Sequence, residues 1–470
     1  MAGKEYLTGC FVGSHFVDTR DALAVEDKFR LKALASVSVA TPDVAERALS
    51  LAASYQPTAG YRRAEILRRV RDRLAARREA FRDLLVAEAG FPLRDAEGEV
   101  ARAIETLALS AEEAKRIGGE VVPFDGAPGG AGRMGFTMRV PVGVVVAITP
   151  FNAPLNTVCH KIGPAFAAGN AVILKPSEKT PLVANLLASL FAEAGCPPGG
   201  LAVLHGGPPV AEALLADQRP GFYAFTGSTA AGASIHAKAG LRRTQMELGS
   251  IAGTIIMADA DLDMAIPKCV GASFRKAGQV CTSIQMLLVE RSVYDEVRER
   301  YVDGVGRLVA GDPAEAGTDV GPMISVAAAE RVEGMLGGET VLTGGAREGA
   351  VLSPTVIERP ADDSRALTEE IFGPVACLVP IEDLEEAISR INGTLYGLAT
   401  GLFTSDIDTA FAAARRLRVG GVHINETSSS RVDLMPYGGV KASGFGHEGP
   451  KYAVREMSEE RLITFSGLSG

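Results

Sequence analysis

Paired metal-ligand spacings are missing from this chain. It has no CxxC and no HxxxH, so a bound metal, structural zinc included, is not expected. Cysteine is scarce, with 6 residues in 470 (Cys10, Cys159, Cys196, Cys269, Cys281 and Cys377), and the spacing shows no pairs. That usage reads as reduced thiols in a cytoplasmic protein rather than a disulfide framework. Long apolar runs are also absent. The most apolar stretch, 140–155, is interrupted by Pro141, Gly143, Pro150, Asn152 and Pro154, and is too short and broken to span a bilayer. The opening residues lack a basic region followed by an apolar core, so a secretory leader is not expected. Positive charge is in deficit: 48 Lys and Arg against 57 Asp and Glu give a net charge of −9. This argues against nucleic acid or an anionic membrane as the main partner. The 225–229 segment is not a full GxGxxG fingerprint, and no solenoid-length repeat is found.

What is present is globular: 47% hydrophobic and 22% charged residues over a length that suits two large domains. From about 41 to 117 the pattern is helical, starting at Thr41-Pro42 with a cap residue and a first-turn proline. Ile66, Leu67, Val70 and Leu74, then Phe81, Leu84 and Leu85, recur at helical spacing among arginines that read as a solvated face. From 142 onward short apolar runs alternate with helical segments. Strands are predicted at 142–148, 171–175, 201–204, 221–225 and 244–248, then at 285–290, 376–380, 401–404 and 421–424. This alternation is the signature of parallel sheets with crossover helices, in two α/β domains meeting near Gly249. A glycine-rich patch at 118–135 reads as a loop or protruding hairpin.

Four segments carry chemistry. Cys281, in Gly278-Gln279-Val280-Cys281-Thr282-Ser283, has a polar neighbourhood unlike those of Cys269 and Cys377. Glu247 stands at the carboxyl end of a predicted strand, where ligands of open α/β sheets collect. Thr149-Pro150-Phe151-Asn152 follows another strand end, and an amide there can donate to an oxyanion. Phe225-Thr226-Gly227-Ser228-Thr229 joins a strand to a helix start, which favours a phosphate. Taken singly, each also has a bland reading as core or surface.

Together and in this order, the segments PFNAPLN, LKPSEKTP, FTGSTAAG, MELGS, GQVCTS, EEIFGPV and PYGGVKASGFGHEG resemble the aldehyde dehydrogenase superfamily, from about residue 41 to the C-terminus. The spacing of Glu247 and Cys281 also fits. The family usually reads ELGGK where this chain has ELGSI, with Ser250 and Ile251 replacing Gly and Lys. The ELGS form is similar to the branch acting on lactaldehyde, phosphonoacetaldehyde and, without phosphorylation, glyceraldehyde 3-phosphate.

The resemblance implies two doubly wound α/β domains plus a small protruding β oligomerisation element. An NAD-binding domain would comprise 1–118 and 141–249, a catalytic domain 250–441, and the oligomerisation element 119–140 and 458–470. A homodimer or homotetramer is expected. By the same resemblance, Cys281 would be the nucleophile, Asn152 and the Cys281 N–H would hold the oxyanion, and Glu247 would activate water against a thioester. Thr149, Pro150, Lys175, Ser177, Glu178, Gly227, Ser228, Leu248, Glu370 and Phe372 would bind the cofactor. Glu178 would accept from a ribose hydroxyl and repel a 2′-phosphate, favouring NAD over NADP. Arg102, His160, Val280, Thr282, Ser430 and Arg431 would face the substrate. Two arginines and an imidazole suit a short phospho-, phosphono- or sulfo-aldehyde. Val280 occupies a position where the glyceraldehyde-3-phosphate branch has a third arginine. The alternatives are a neutral hydroxyaldehyde, with Arg102 and Arg431 spent on carboxylates such as Asp433; a CoA-acylating dehydrogenase; a non-redox cysteine hydrolase or acyltransferase; and a catalytically silent paralogue.

Overall fold

A computed structural model describes residues 6–467. The last three residues of the expected oligomerisation element, and the first five of the chain, lie outside that span.

The first sheet has eight strands. In spatial order they are His15–Val17, Cys10–Val12, Leu201–Val203, Ala171–Lys175, Val144–Ile148, Pro220–Thr226, Arg243–Glu247 and Gly444–Phe445. The five inner strands run parallel. Val144–Ile148 and Ala171–Lys175 are buried at every residue, as a sheet covered on both faces requires. Helices Asn156–Ala168, Pro181–Glu193, Pro208–Ala216 and Thr229–Ala239 make the crossovers. Both edges are closed by antiparallel additions. Phe11 pairs with Val203 at one, while Phe445 and Gly444 pair with Met246 and Glu247 at the other. The second pairing sets the C-terminal loops beside the strand that ends in Glu247.

The second sheet has seven strands, in the order Val341–Thr343, Thr355–Glu358, Val375–Ile381, Ile284–Glu290, Ala252–Ile256, Ala399–Phe403 and Gly421–Ile424. All neighbours are parallel except the first pair. Its core, built on Ile255, Leu287, Leu288, Leu378 and Phe403, is separate from the core of the first sheet.

The helical stretch after Thr41 resolves into four helices, Pro42–Ala53, Gly60–Ala76, Arg78–Ala89 and Leu93–Glu113. Thr41 accepts from the Val44 N–H at 3.3 Å, capping the first. In the second, Ile66, Leu67, Val70 and Leu74 face inward. The glycine-rich patch leads into a hairpin: Arg133–Pro141 pairs antiparallel with Val121–Val122 on one side and with Ser458–Ser466 on the other.

Candidate active site

Two kinds of chain end meet between the sheets. From the first sheet come the residues after Val144–Ile148, which reach Asn152, and the strand ends Thr226 and Glu247. From the second comes the loop between helix Leu262–Phe274 and strand Ile284–Glu290, which carries Arg275 to Ser283. They enclose a cavity of about 60 Å³ lined by Arg102, Asn152, Glu247, Leu248, Arg275, Lys276, Val280, Cys281, Thr282, Arg431, Tyr437 and Glu448, among others.

The loop before Cys281 is unusual in its backbone. Lys276, Ala277 and Gly278 have φ of 51°, 54° and 67°, three consecutive residues in the left-handed region. Left-handed conformation costs a non-glycine residue about 1–2 kcal/mol, so the turn must be held. Lys276 holds it through three bonds. Its N–H donates to Asp95 at 2.8 Å, and its Nζ donates to Glu99 Oε2 at 2.6 Å and to the Asn152 carbonyl at 3.1 Å. Glu99 also accepts from the Asn156 N–H at 2.8 Å, so one buried carboxylate fixes both the start of helix Asn156–Ala168 and the cysteine loop. Gly278 is required: a Cβ there would lie 2.0 Å from the Gly373 carbonyl oxygen. The loop leaves Cys281 half-buried at the cavity, whereas the other five cysteines are buried.

Glu247 is buried, and neither carboxylate oxygen has a hydrogen-bond partner among the described residues. Burial, and then the nearby Glu448 carboxylate, push its pKa well above the usual value. Glu448 is also buried, but Lys161 Nζ at 3.1 Å and Arg431 Nη2 at 2.8 Å outweigh desolvation and hold it ionised. The Cys281 thiol is pushed up to about 11 by burial. The Tyr437 hydroxyl, 2.8 Å from Sγ, and the Arg431 charge act in the opposite direction.

The basic side chains expected to face the substrate are largely engaged. Arg102 donates to Asp433 through Nη2 at 2.7 Å and Nε at 3.3 Å, and Arg431 is spent on Glu448. His160 and Ser430 lie outside the lining of the cavity. The His160 ring is buried on helix Asn156–Ala168, with Nε2 2.8 Å from Asp433 and 3.3 Å from the Thr106 hydroxyl. Burial and the Arg431 charge lower its pKa, which favours the neutral ring. Thr282 lines the cavity and shares a 3.2 Å contact with Ser429 Oγ. One cation in the cavity wall, Arg275, was not among the residues expected to face the substrate. Arg275 donates through Nη2 to Ser429 Oγ at 3.2 Å, its Nε has no partner, and no carboxylate pairs with it among the described residues. Tyr437, Lys161, Glu448, Lys276 and Glu99 were passed over too.

Of the residues expected to hold a cofactor, Leu248 lines this cavity and the others lie outside its lining. Lys175 is buried, with its amine 3.9 Å from Glu178 Oε2. Ser177 accepts from the Lys179 N–H at 3.2 Å. Ser228 caps helix Thr229–Ala239, accepting from the Ala231 N–H at 3.4 Å, and the Gly227 N–H donates to the Glu247 carbonyl at 3.0 Å. Glu370 accepts from the Ser250 N–H at 2.9 Å, and burial raises its pKa to about 7. Phe372 meets Phe151 edge-on at 5.9 Å and, with Glu370 and Val280, lines a second small cavity. One feature fits a dinucleotide here. Thr149, which precedes Pro150, has a buried hydroxyl without a hydrogen-bond partner among the described residues. Gly249 lets the Glu370 carboxylate close on the backbone there, since a Cβ would stand 2.8 Å from Glu370 Oε2.

The sequence profile of the aldehyde dehydrogenase family matches residues 16–463. The chain belongs to that family. It is 45% identical over 471 residues to a 3-sulfolactaldehyde dehydrogenase of Priestia aryabhattai, covering 98% of each chain. Among solved structures, aldehyde dehydrogenase 21 from Physcomitrella patens, in complex with the reaction product succinate, superposes with a TM-score of 0.95 at 38% identity, covering 98% of both chains. A glyceraldehyde-3-phosphate dehydrogenase from Methanocaldococcus jannaschii, complexed with NADP, gives 0.92 at 37% identity, covering 95% of this chain and 100% of that one. This aldehyde dehydrogenase is therefore an oxidoreductase of the NAD(P)-using family, with the family's α/β fold.

Proposed function

We propose that this aldehyde dehydrogenase oxidises a short aldehyde carrying an anionic group to the carboxylic acid, with NAD as cofactor and Cys281 as nucleophile. The observation that carries the covalent mechanism is the convergence of Asn152, Glu247 and the half-buried Cys281 on one small cavity. The thiolate adds to the aldehyde carbon, and the charge moves to the aldehyde oxygen. That oxygen is held by the Asn152 amide and the Cys281 N–H. When bound, the dinucleotide supplies the hydride acceptor, and the adduct on Cys281 becomes a thioester. Glu247, whose carboxylate has no competing partner, takes a proton from the water that hydrolyses it and so frees the thiolate. Retention of this base favours water over CoA as the acyl acceptor. No histidine lines the cavity, which disfavours a non-redox cysteine hydrolase.

The anionic reading rests on Arg275, the guanidinium in the cavity wall without a carboxylate partner. Relatives named for 3-sulfolactaldehyde and bound to succinate support it. For the cofactor, the Lys175–Glu178 pair suits ribose hydroxyls, and the carboxylate repels a 2′-phosphate. Thr149, Pro150, Ser177, Gly227, Ser228, Leu248, Glu370 and Phe372 complete that site. The exposed apolar face formed by Met134, Phe136, Met138 and Phe465 on the three-stranded sheet supports self-association through that element. The test of the mechanism is Cys281→Ser, assayed by NADH absorbance with short aldehydes. Oxidation is expected to fall to near background while NAD still binds, because a hydroxyl ionises far less than a thiol. Substantial turnover would overturn it.

A further inference from the structure

Tyr437 is fixed more firmly than a residue that merely lines a pocket needs to be. Its N–H donates to the Glu448 carbonyl at 3.1 Å and its carbonyl accepts from the Glu448 N–H at 2.7 Å, a two-residue antiparallel bridge. The Arg431 guanidinium lies 3.8 Å from the centre of its ring. Arg431 is in turn tied to Glu448, and Glu448 to Lys161. All this clamps one phenol, whose hydroxyl oxygen stands 2.8 Å from Cys281 Sγ.

We propose that Tyr437 is a further catalytic residue, donating its hydroxyl hydrogen to the Cys281 thiolate, and that Arg431 is the positioning residue that holds the ring. This rests on Cys281 being the nucleophile. The direction of the bond follows from the surroundings. The phenol is buried and its pKa lies well above the usual value, so it keeps its proton and can only donate to a thiolate. Of the charged groups acting on Cys281, Glu247 and Glu370 oppose ionisation, while Arg431 and Arg275, together with the Tyr437 hydroxyl, favour it. No histidine is there to do so.

Two opposed effects follow. A hydrogen bond to the thiolate lowers the pH at which the thiol ionises, by about one to two pH units for a bond to a charged group. The same bond withdraws charge from sulfur and makes each thiolate less nucleophilic, with a Brønsted coefficient of about 0.4–0.5. Tyr437→Phe keeps the ring, its backbone bridge and the stacked arginine, and removes only the donor.

The experiment follows the reaction of Cys281 with a dipyridyl disulfide across pH in wild type and Tyr437→Phe, with Cys281→Ser as background for the buried thiols. The expected result is two crossing profiles. In Tyr437→Phe the midpoint moves up by about one to two pH units, and the limiting rate at high pH rises about 2.5- to 10-fold. Coincident profiles would overturn the proposal, as would a midpoint moved down. Arg431→Lys, which keeps the charge beside Glu448 and loses the stacked plane, tests positioning. It should raise the midpoint in wild type and leave it unchanged in the Tyr437→Phe background. An equal shift in both backgrounds would remove Arg431 from the scheme. Because the thiol reaction needs neither aldehyde nor cofactor, these outcomes are separate from the oxidation assay of Cys281→Ser.

Discussion

Replacing Arg275 by methionine removes five N–H donors from the cavity wall and keeps most of the apolar stem. It strands no carboxylate, because no acidic side chain pairs with Arg275 among the described residues. Arg431 is different. Its replacement by an uncharged residue would leave Glu448 buried beside one cation instead of two, and breaking a buried pair costs about 3–5 kcal/mol, so Arg431→Met would confuse specificity with folding. For Arg275 the magnitude follows from one hydrogen bond to a charged group, about 1.5–3 kcal/mol. Spent on an anionic substrate tail, that is about a 10- to 150-fold fall in kcat/KM. The assay compares phosphonoacetaldehyde with propanal in wild type and Arg275→Met. The anionic substrate should lose within that range, mostly through KM because the tail is bound equally before and during reaction. Propanal should change little. Equal losses on both aldehydes, or none on either, would refute the assignment and favour a neutral hydroxyaldehyde.

Glu247→Gln should give one burst of NADH followed by turnover about 10²- to 10⁴-fold slower, the usual worth of a general base; rapid-mixing absorbance measures both phases, and an unchanged steady state would move the base elsewhere. Glu178→Ser should narrow the preference for NAD over NADP, measured as the ratio of kcat/KM values, and a wild type that prefers NADP would contradict the cofactor assignment. Glu370 has a folded-state pKa raised from 4.5 to about 7. The folded chain therefore holds a proton that the unfolded chain has released. The resulting stability is complete below 4.5, declines as pH rises to about 7, and amounts to about 3 kcal/mol at most. Glu370→Gln should flatten that part of the Tm-against-pH curve, and an unaltered slope would show that another group titrates.

The strands were legible because parallel sheets bury both faces: Val144–Ile148 and Ala171–Lys175 are unbroken apolar runs, and the ends of such strands are where Asn152 and Glu247 stand. The N-terminal hairpin was not legible, since Cys10–Val12 and His15–Val17 are three residues each and the hairpin joins the sheet through Phe11 and Val203, far along the chain. The charged surroundings of the site were hidden for the same reason. Lys161 lies in a helix buried on every side, and its meaning comes from Glu448, 287 residues away. Arg102 and Asp433 are 331 apart. A guanidinium signals anion binding only if nothing else in the fold reaches it first, and no local pattern tells whether a carboxylate from far along the chain will. One signal was available and went unread. Arg275-Lys276 puts two adjacent cations into the run-up to Cys281, where a solvated face has no reason to be. Lys276 went to Glu99 and the backbone of Asn152, which left Arg275 in the cavity wall with no carboxylate in ion-pair contact among the described residues.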